Sequence, residues 1–208
     1  MADERDDAAA EVPDARLYGG YRDLARAQRR GLDYEITVVR RPSSRVAIIA
    51  PHGGGIEDGT SEFARRLAGE DFNLYLFEGL RPSHNYRALH LTSHRFDEPL
   101  CLRLLVDMDS VVAVHGCDGA EATVLLGGRD TQLRDPLALA LEAAGVAAAS
   151  SGHRFPATNP ANICNRGASG RGVQLELPHS LRRPPSGEVI AEVVRTTLCR
   201  QVARTGTG

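Results

Sequence analysis

The chain has 208 residues, enough for one full hydrophobic core and hardly for two. With 42% hydrophobic and 25% charged residues it has the composition of a soluble globular domain, not of a disordered chain. A formal net charge of −2 excludes the basic excess of proteins that grip nucleic acid or an anionic membrane, so neither partner is expected.

Residues 1–15 are acidic and alanine-rich without periodicity, and are expected to be disordered; the domain is expected over 16–203. This beginning lacks the basic-then-apolar order of a signal peptide, and no apolar run reaches the roughly 18–20 residues that cross a bilayer. A cytoplasmic protein is therefore expected, with release by lysis as the route out for a phage protein; the sequence leaves the oligomeric state open, with a monomer favoured. Tyr21–Arg30 reads as a short helix, Asp33–Arg40 (DYEITVVR) as a strand, and Arg45–Ala50 (RVAIIA) as a buried central strand running into PHGGGIEDGT. A helix is expected from Thr60, which can cap it. Asn73–Glu78 (NLYLFE) and Ala88–Thr92 (ALHLT) read as strands, and Pro99–Met108 as a helix with Pro99 in its first turn. Ser110–Val114 (SVVAV) is another buried strand, and Glu121–Leu126 a further one. Asp130–Ala144 is a helix stopped by Gly145, and Ala148–Gly170 a long loop of the kind that is usually functional. Gly172–Leu177 (GVQLEL) is a strand and Ser186–Val202 the last helix. Strands that alternate with helices predict a single α/β domain with a mixed, mostly parallel sheet flanked by helices.

In open α/β sheets, ligands bind beyond the carboxyl ends of the strands. Three polar clusters fall there. In the first, His52 leaves a buried strand and Glu57 follows five residues later, with three glycines between them that permit sharp turns. Imidazole nitrogen and carboxylate oxygen are ordinary zinc ligands. A glycine-rich anion nest would use the same loop, although Glu57 would repel a phosphate there. His115, at the end of VVAV, offers a third donor; two histidines and a glutamate leave one position of a zinc ion open for catalysis. Glu176 in GVQLEL shares a strand face with Gln174; it is either an edge-strand charge or a general base that passes a proton to the leaving amine.

Other candidates carry two readings each. Arg166, in the loop before the Glu176 strand, is either a clamp for substrate carboxylate or tetrahedral oxyanion, or a loop arginine bonded to carbonyls. His90 could orient a ligand or touch substrate, or be a satisfied half-buried histidine. His153 could line the cleft. The four cysteines are widely spaced and form no CxxC pair, which speaks against a cysteine zinc site; a nucleophilic role for Cys117 would need a neighbouring base. All basic side chains are arginines, which codon usage explains and which a carboxylate-rich substrate would also suit.

Six blocks occur in the order APHGGGIEDGTSE, LYLFEGL, LHLTSHRFDEP, VAVHGC, LLGGRD and NICNRGASGRGVQLELP. Together they resemble the phage-associated poly-γ-glutamate hydrolases, zinc peptidases with a carboxypeptidase A-like α/β core, over roughly residues 17–202. The resemblance implies one zinc ion held by His52, Glu57 and His115, Glu176 as catalytic base, and hydrolysis of γ-glutamyl amide bonds in a polyanionic substrate. It does not place the substrate-binding arginines. The alternatives are a zinc amidase acting on another amide, or a non-enzymatic protein of phage replication that binds an acidic partner.

Overall fold

The computed structural model describes residues 17–119 and 121–205; the segment 1–15 expected to be disordered lies outside them. In chain order the elements are helix α1 (Tyr21–Ala27), strands β1 (Tyr34–Val39) and β2 (Val46–Gly54), helix α2 (Thr60–Ala68), strand β3 (Asn73–Gly79), helices α3 (Asn85–Leu89) and α4 (Pro99–Leu105), and strands β4 (Ser110–Cys117) and β5 (Val124–Gly127). Helix α5 (Thr131–Ala143), the two-residue strand β6 (Ala148–Ala149), a 3₁₀ turn (Ile163–Asn165), strand β7 (Val173–Pro178) and helices α6 (His179–Arg182) and α7 (Ser186–Thr205) complete the chain.

The strands form one seven-stranded sheet in the order β1-β3-β2-β4-β7-β5-β6. The pairs β2–β3, β2–β4, β4–β7 and β5–β6 are parallel, while β1 and β5 run antiparallel to their partners β3 and β7. The chain leaves β2 for β3 on one side, then returns past it to β4 on the other. A crevice opens where the winding reverses, at the carboxyl ends of β2 and β4.

Both faces of the sheet are covered, which is why β2 and β4 are near-continuous apolar runs. On the first face Ile48, Ala50, Val112, Val114, Leu175 and Leu177 pack beneath α2, α5 and α7. On the second, Ala47, Ile49, Tyr75, Phe77 and Ala113 meet Leu24 of α1, Leu89 of α3 and Leu104 of α4. Alternation along β4 and β7 therefore turns His115 and Glu176 towards the second face, away from Val114 and Leu175.

Three sequence expectations are corrected. ALHLT is not a strand: Ala88 and Leu89 end α3 and His90 is its extended C-cap, so this segment is a short helix running into a loop beside the crevice. The N-cap of α2 is Gly59, in the left-handed region at φ 87°, and the Thr60 hydroxyl instead bonds back to the carbonyls of His52 (3.1 Å) and Glu57 (2.7 Å). The long loop after Ala148 holds the short strand β6 and the 3₁₀ turn. Helix α4 starts as expected with Pro99 in its first turn, capped by buried Glu98, which accepts from Cys101 N–H (2.8 Å) and from the Tyr75 hydroxyl (2.9 Å).

Candidate metal centre

Strand β2 brings His52 to the crevice through an irregularity. Its pairing with β3 shifts between Ala50 and Gly53, the kind of bulge that re-aims a side chain. The chain must then fold back tightly. A Cβ on Gly53 would stand 2.3 Å from the Ser61 hydroxyl, and one on Gly54, at φ 58°, would stand 2.6 Å from the Gly79 carbonyl. Only glycine fits such approaches. The turn is closed by Glu57 N–H donating to the His52 carbonyl (2.9 Å), which sets the two side chains at one point.

The His52 ring donates from Nε2 to the Leu91 carbonyl (2.7 Å), which turns Nδ1 towards the cluster. That atom lies 3.0 Å from Glu57 Oε1 and 3.1 Å from Nδ1 of His115. His115 Nδ1 is 3.8 Å from Glu57 Oε2, which also accepts from Gly116 N–H (2.7 Å). Two imidazole nitrogens and a carboxylate thus face one another in a buried space, atoms of the kind that could hold a cation in place of the protons they share. A tetrahedral ion with ligands at about 2.0–2.2 Å spaces its donors about 3.3–3.6 Å apart, against 3.0 Å and 3.1 Å from His52 Nδ1 to Glu57 Oε1 and to His115 Nδ1, and 3.8 Å from His115 Nδ1 to the other carboxylate oxygen, Oε2. The protonation states also suit a metal. Burial alone would raise the Glu57 carboxyl, but His52, His115 and the Gly116 N–H outweigh it and bring it down to about 2. Burial lowers His115 to about 3, helped by the proximity of His52, so its ring is neutral.

His90 joins this cluster. Its Nε2 is 3.8 Å from Glu57 Oε1, its ring lies 4.1 Å from that of His52 and stacks on Tyr86 at 4.3 Å. His52, Glu57 and His90 also have donor atoms within 4.8 Å of one another. His90 is not a satisfied histidine: its buried Nδ1 finds no hydrogen-bond partner among the described residues. Burial, then His52, brings it down to about 2. Of the two readings of His90, the satisfied histidine is the one set aside; the sequence placed it on a strand, whereas the end of α3 delivers it.

Glu176 stands in register opposite His115 across the β4–β7 pair. Asn162 Nδ2 donates to Gln174 Oε1 (2.9 Å), and Gln174 Nε2 donates to Glu176 Oε1 (2.7 Å). Burial first, and then the Glu57 charge, push the Glu176 carboxyl up to about 9. The amide chain fixes Oε1 and leaves Oε2 free to take up or release a proton.

Arg166 is not brought to this cluster. It is exposed, and its neighbours Gly167 and Ala168 pack on Met108 and Val111 at the start of β4, the end away from His115. The arginines whose charges reach Glu176 are Arg154 and Arg182, which spacing did not single out. Both ring nitrogens of His153 are taken up by backbone, the Leu126 carbonyl and Phe155 N–H. Burial pushes the Cys117 thiol up to about 11, the opposite of what a thiolate nucleophile needs.

Residues 18–185 match the model of the poly-gamma-glutamate hydrolase family. The chain belongs to that family. Within its wider set of relatives, the chain is 41% identical over 152 residues to YmaC of Bacillus subtilis, a match spanning 72% of this chain and 64% of YmaC. The chain spans less than two thirds of the length of the curated relatives it matches. Among solved structures it is similar to a bacteriophage poly-gamma-glutamate hydrolase, with TM-score 0.84 and 36% identity over 89% of this chain and 98% of that one. It is also similar to zinc-free apo YndL, with TM-score 0.81 and 29% identity over 88% of this chain and 98% of that one.

Proposed function

We propose that the protein is a zinc-dependent hydrolase of γ-glutamyl amide bonds in poly-γ-glutamate. The observation that carries this reading is the convergence of His52 Nδ1, His115 Nδ1 and the Glu57 carboxylate beside Glu176 in a chain of this family. In this reading His52, Glu57 and His115 hold the ion, and His90 borders it. Zinc in such a donor set polarises an amide carbonyl and makes water a nucleophile at neutral pH.

The remaining chemistry belongs to the chain. Glu176 Oε2 accepts the proton of the attacking water and delivers it to the departing amine nitrogen. Gln174, itself held by Asn162, keeps the carboxyl pointed during both transfers. The Leu91 carbonyl fixes the tautomer and tilt of His52, as metal-binding histidines require. The experiment is cleavage of poly-γ-glutamate, followed by loss of viscosity, before and after chelation and after zinc is restored. The reading expects activity that disappears with the metal and returns with it; full activity in chelated protein would end it.

A further inference from the structure

A groove lies outside the crevice, along one edge of the sheet. It has a volume of about 510 Å³ and is lined by Arg30, by Ile36, Val38 and Arg40 of β1 and its end, and by Leu100 and Arg103 of α4. Ile36 and Val38 share a face of β1, and with Leu100, 40% exposed, they make the groove apolar at its base. Strand β1 runs antiparallel to β3, so Tyr34, opposite Gly79, stands at the crevice end of the sheet and Val39, opposite Leu74, at the other. Arg30 bridges to Tyr34 and Arg40 follows Val39, so arginines mark both ends of the strand, roughly 20 Å apart at about 3.3 Å per residue.

The lining holds three arginines and no acid. Glu35 pairs with Arg30 at 2.7 Å. Arg40 donates from Nη2 to the Arg103 carbonyl (3.2 Å), which ties it to α4 without neutralising it, and neither Arg40 nor Arg103 pairs with an acid among the described residues. The outer edge of β1 is itself closed at its middle. Ile36 N–H donates to Glu35 Oε1 (2.8 Å), and the Ile36 carbonyl accepts from Arg30 Nη2 (3.0 Å). Side chains that take up these groups block the addition of another strand, the route by which a second copy of the chain would dock on this edge. The groove therefore offers a partner apolar contact flanked by unpaired guanidinium forks. A chain that carries both methylenes and carboxylates answers both features.

We propose that this groove binds a stretch of poly-γ-glutamate away from the scissile bond, as a second site that holds the polymer on the protein. Every repeat of a γ-linked glutamate chain carries backbone methylenes and a free carboxylate, so the polymer matches the base and the forks at once. The identity of the polymer rests on the hydrolase reading above; the chemistry of the groove does not.

The test measures binding of fluorescently labelled poly-γ-glutamate to chelated protein, so that cleavage does not interfere. Native protein should bind, and Arg40→Gln with Arg103→Gln should bind about 3- to 10-fold more weakly, the scale of two exposed charge contacts, with a shallower dependence on salt. Both side chains are exposed, so the melting temperature should stay near native. Should Arg40→Gln disturb its tie to α4, Arg103→Gln alone decides, with an expected loss of about 2- to 3-fold. Arg129→Gln with Arg171→Gln removes the same charge from exposed positions at the amino-terminal end of β7 and should bind as native protein does. Equal weakening by the two pairs would overturn the proposal, since the polymer would then respond to net charge alone. No binding by native protein, or binding unchanged in Arg40→Gln with Arg103→Gln, would overturn it too. A single-stranded DNA oligomer that binds more tightly than the polymer, through the same two arginines, would assign the groove to phosphates and end the proposal. With zinc restored, Arg40→Gln with Arg103→Gln should raise KM on long polymer by the same factor at unchanged kcat, and should act as native protein on a γ-linked glutamate dimer, which fills only the crevice; an equal loss on the dimer would contradict a second site. The two readings fail separately. Native protein that binds the polymer through Arg40 and Arg103 but cleaves none of it would keep the groove and end the hydrolase reading, whereas cleavage indifferent to both arginines would do the reverse.

Discussion

Glu57 and Glu176 face the same small space, and their environments push them in opposite directions. Glu57 is drawn down to about 2 by the imidazoles and the Gly116 N–H; Glu176 is driven up to about 9 by burial and by Glu57 itself. One is fitted to remain an anion and the other to exchange a proton, which suits the proposed roles of Glu57 as ligand and Glu176 as base. The sign of the stability effect follows. In metal-free protein the raised Glu176 favours the folded state fully below its unfolded pKa of 4.5, and that contribution is lost as pH rises towards about 9. Between pH 7 and 9, above the range where His90 and His115 would take up protons on unfolding, stability should fall by up to about 1.4 kcal/mol per pH unit. Urea unfolding of chelated native protein and of Glu176→Gln should show this slope in the first and a flatter one in the second; parallel slopes would contradict it. Metal analysis of single variants then separates the two histidines that flank the pair. Replacement of His52, Glu57 or His115 by alanine should weaken zinc binding by more than the ~10–100-fold that loss of an orienting partner costs, whereas His90→Ala should keep about one zinc per chain. Zinc lost from His90→Ala and retained in His115→Ala would move the third ligand to His90.

The turn between β2 and α2 shows why three glycines stand in a row. Gly53 and Gly54 lie so close to Ser61 and to β3 that a methyl group has no room, and Gly54 also sits at φ 58°. Gly54→Ala should cost about 1–3 kcal/mol, read as a shift in denaturation midpoint, and should lower zinc affinity because the loop sets Glu57. The Thr60 hydroxyl ties the same loop through two carbonyls, so Thr60→Val should cost about 1–2 kcal/mol. The elements legible in the sequence are those whose own residues decide them. RVAIIA and SVVAV are β-branched and apolar because both of their faces are covered, and Pro99 and Gly145 punctuate helices by their backbone chemistry. ALHLT misleads because its alternation mimics a strand, while its fate is set by packing of Leu89 and Leu91 beneath the second face. Thr60 misleads because a hydroxyl that can cap a helix can equally bond back into the preceding loop.

At the scale of the whole molecule, the site is a product of strand order. His52 and His115 come from strands adjacent only because the chain winds first to β3 and then back to β4, and His115 meets Glu176 through the β4–β7 register. The sequence shows each residue at a strand end, but pairing between distant segments leaves no local mark. Residues from loops and short helices are therefore the ones spacing places least well: His90, read on a strand, comes from the end of α3, and Arg182, which spacing did not single out, from α6, its seat marked only by the absent side chain of Gly116. On the proposed reading zinc would join elements far apart in sequence, so adding it should stabilise the fold by mass action, by about 4 kcal/mol at a thousandfold excess over its dissociation constant, with a matching rise in melting temperature. The most direct test of the account is zinc content and poly-γ-glutamate cleavage, measured side by side on native protein and Glu176→Gln. The account predicts about one zinc per chain in both and a loss of cleavage of about 10²–10⁴-fold in the variant. Native-level cleavage by Glu176→Gln, or cleavage by native protein that binds no metal, would contradict it.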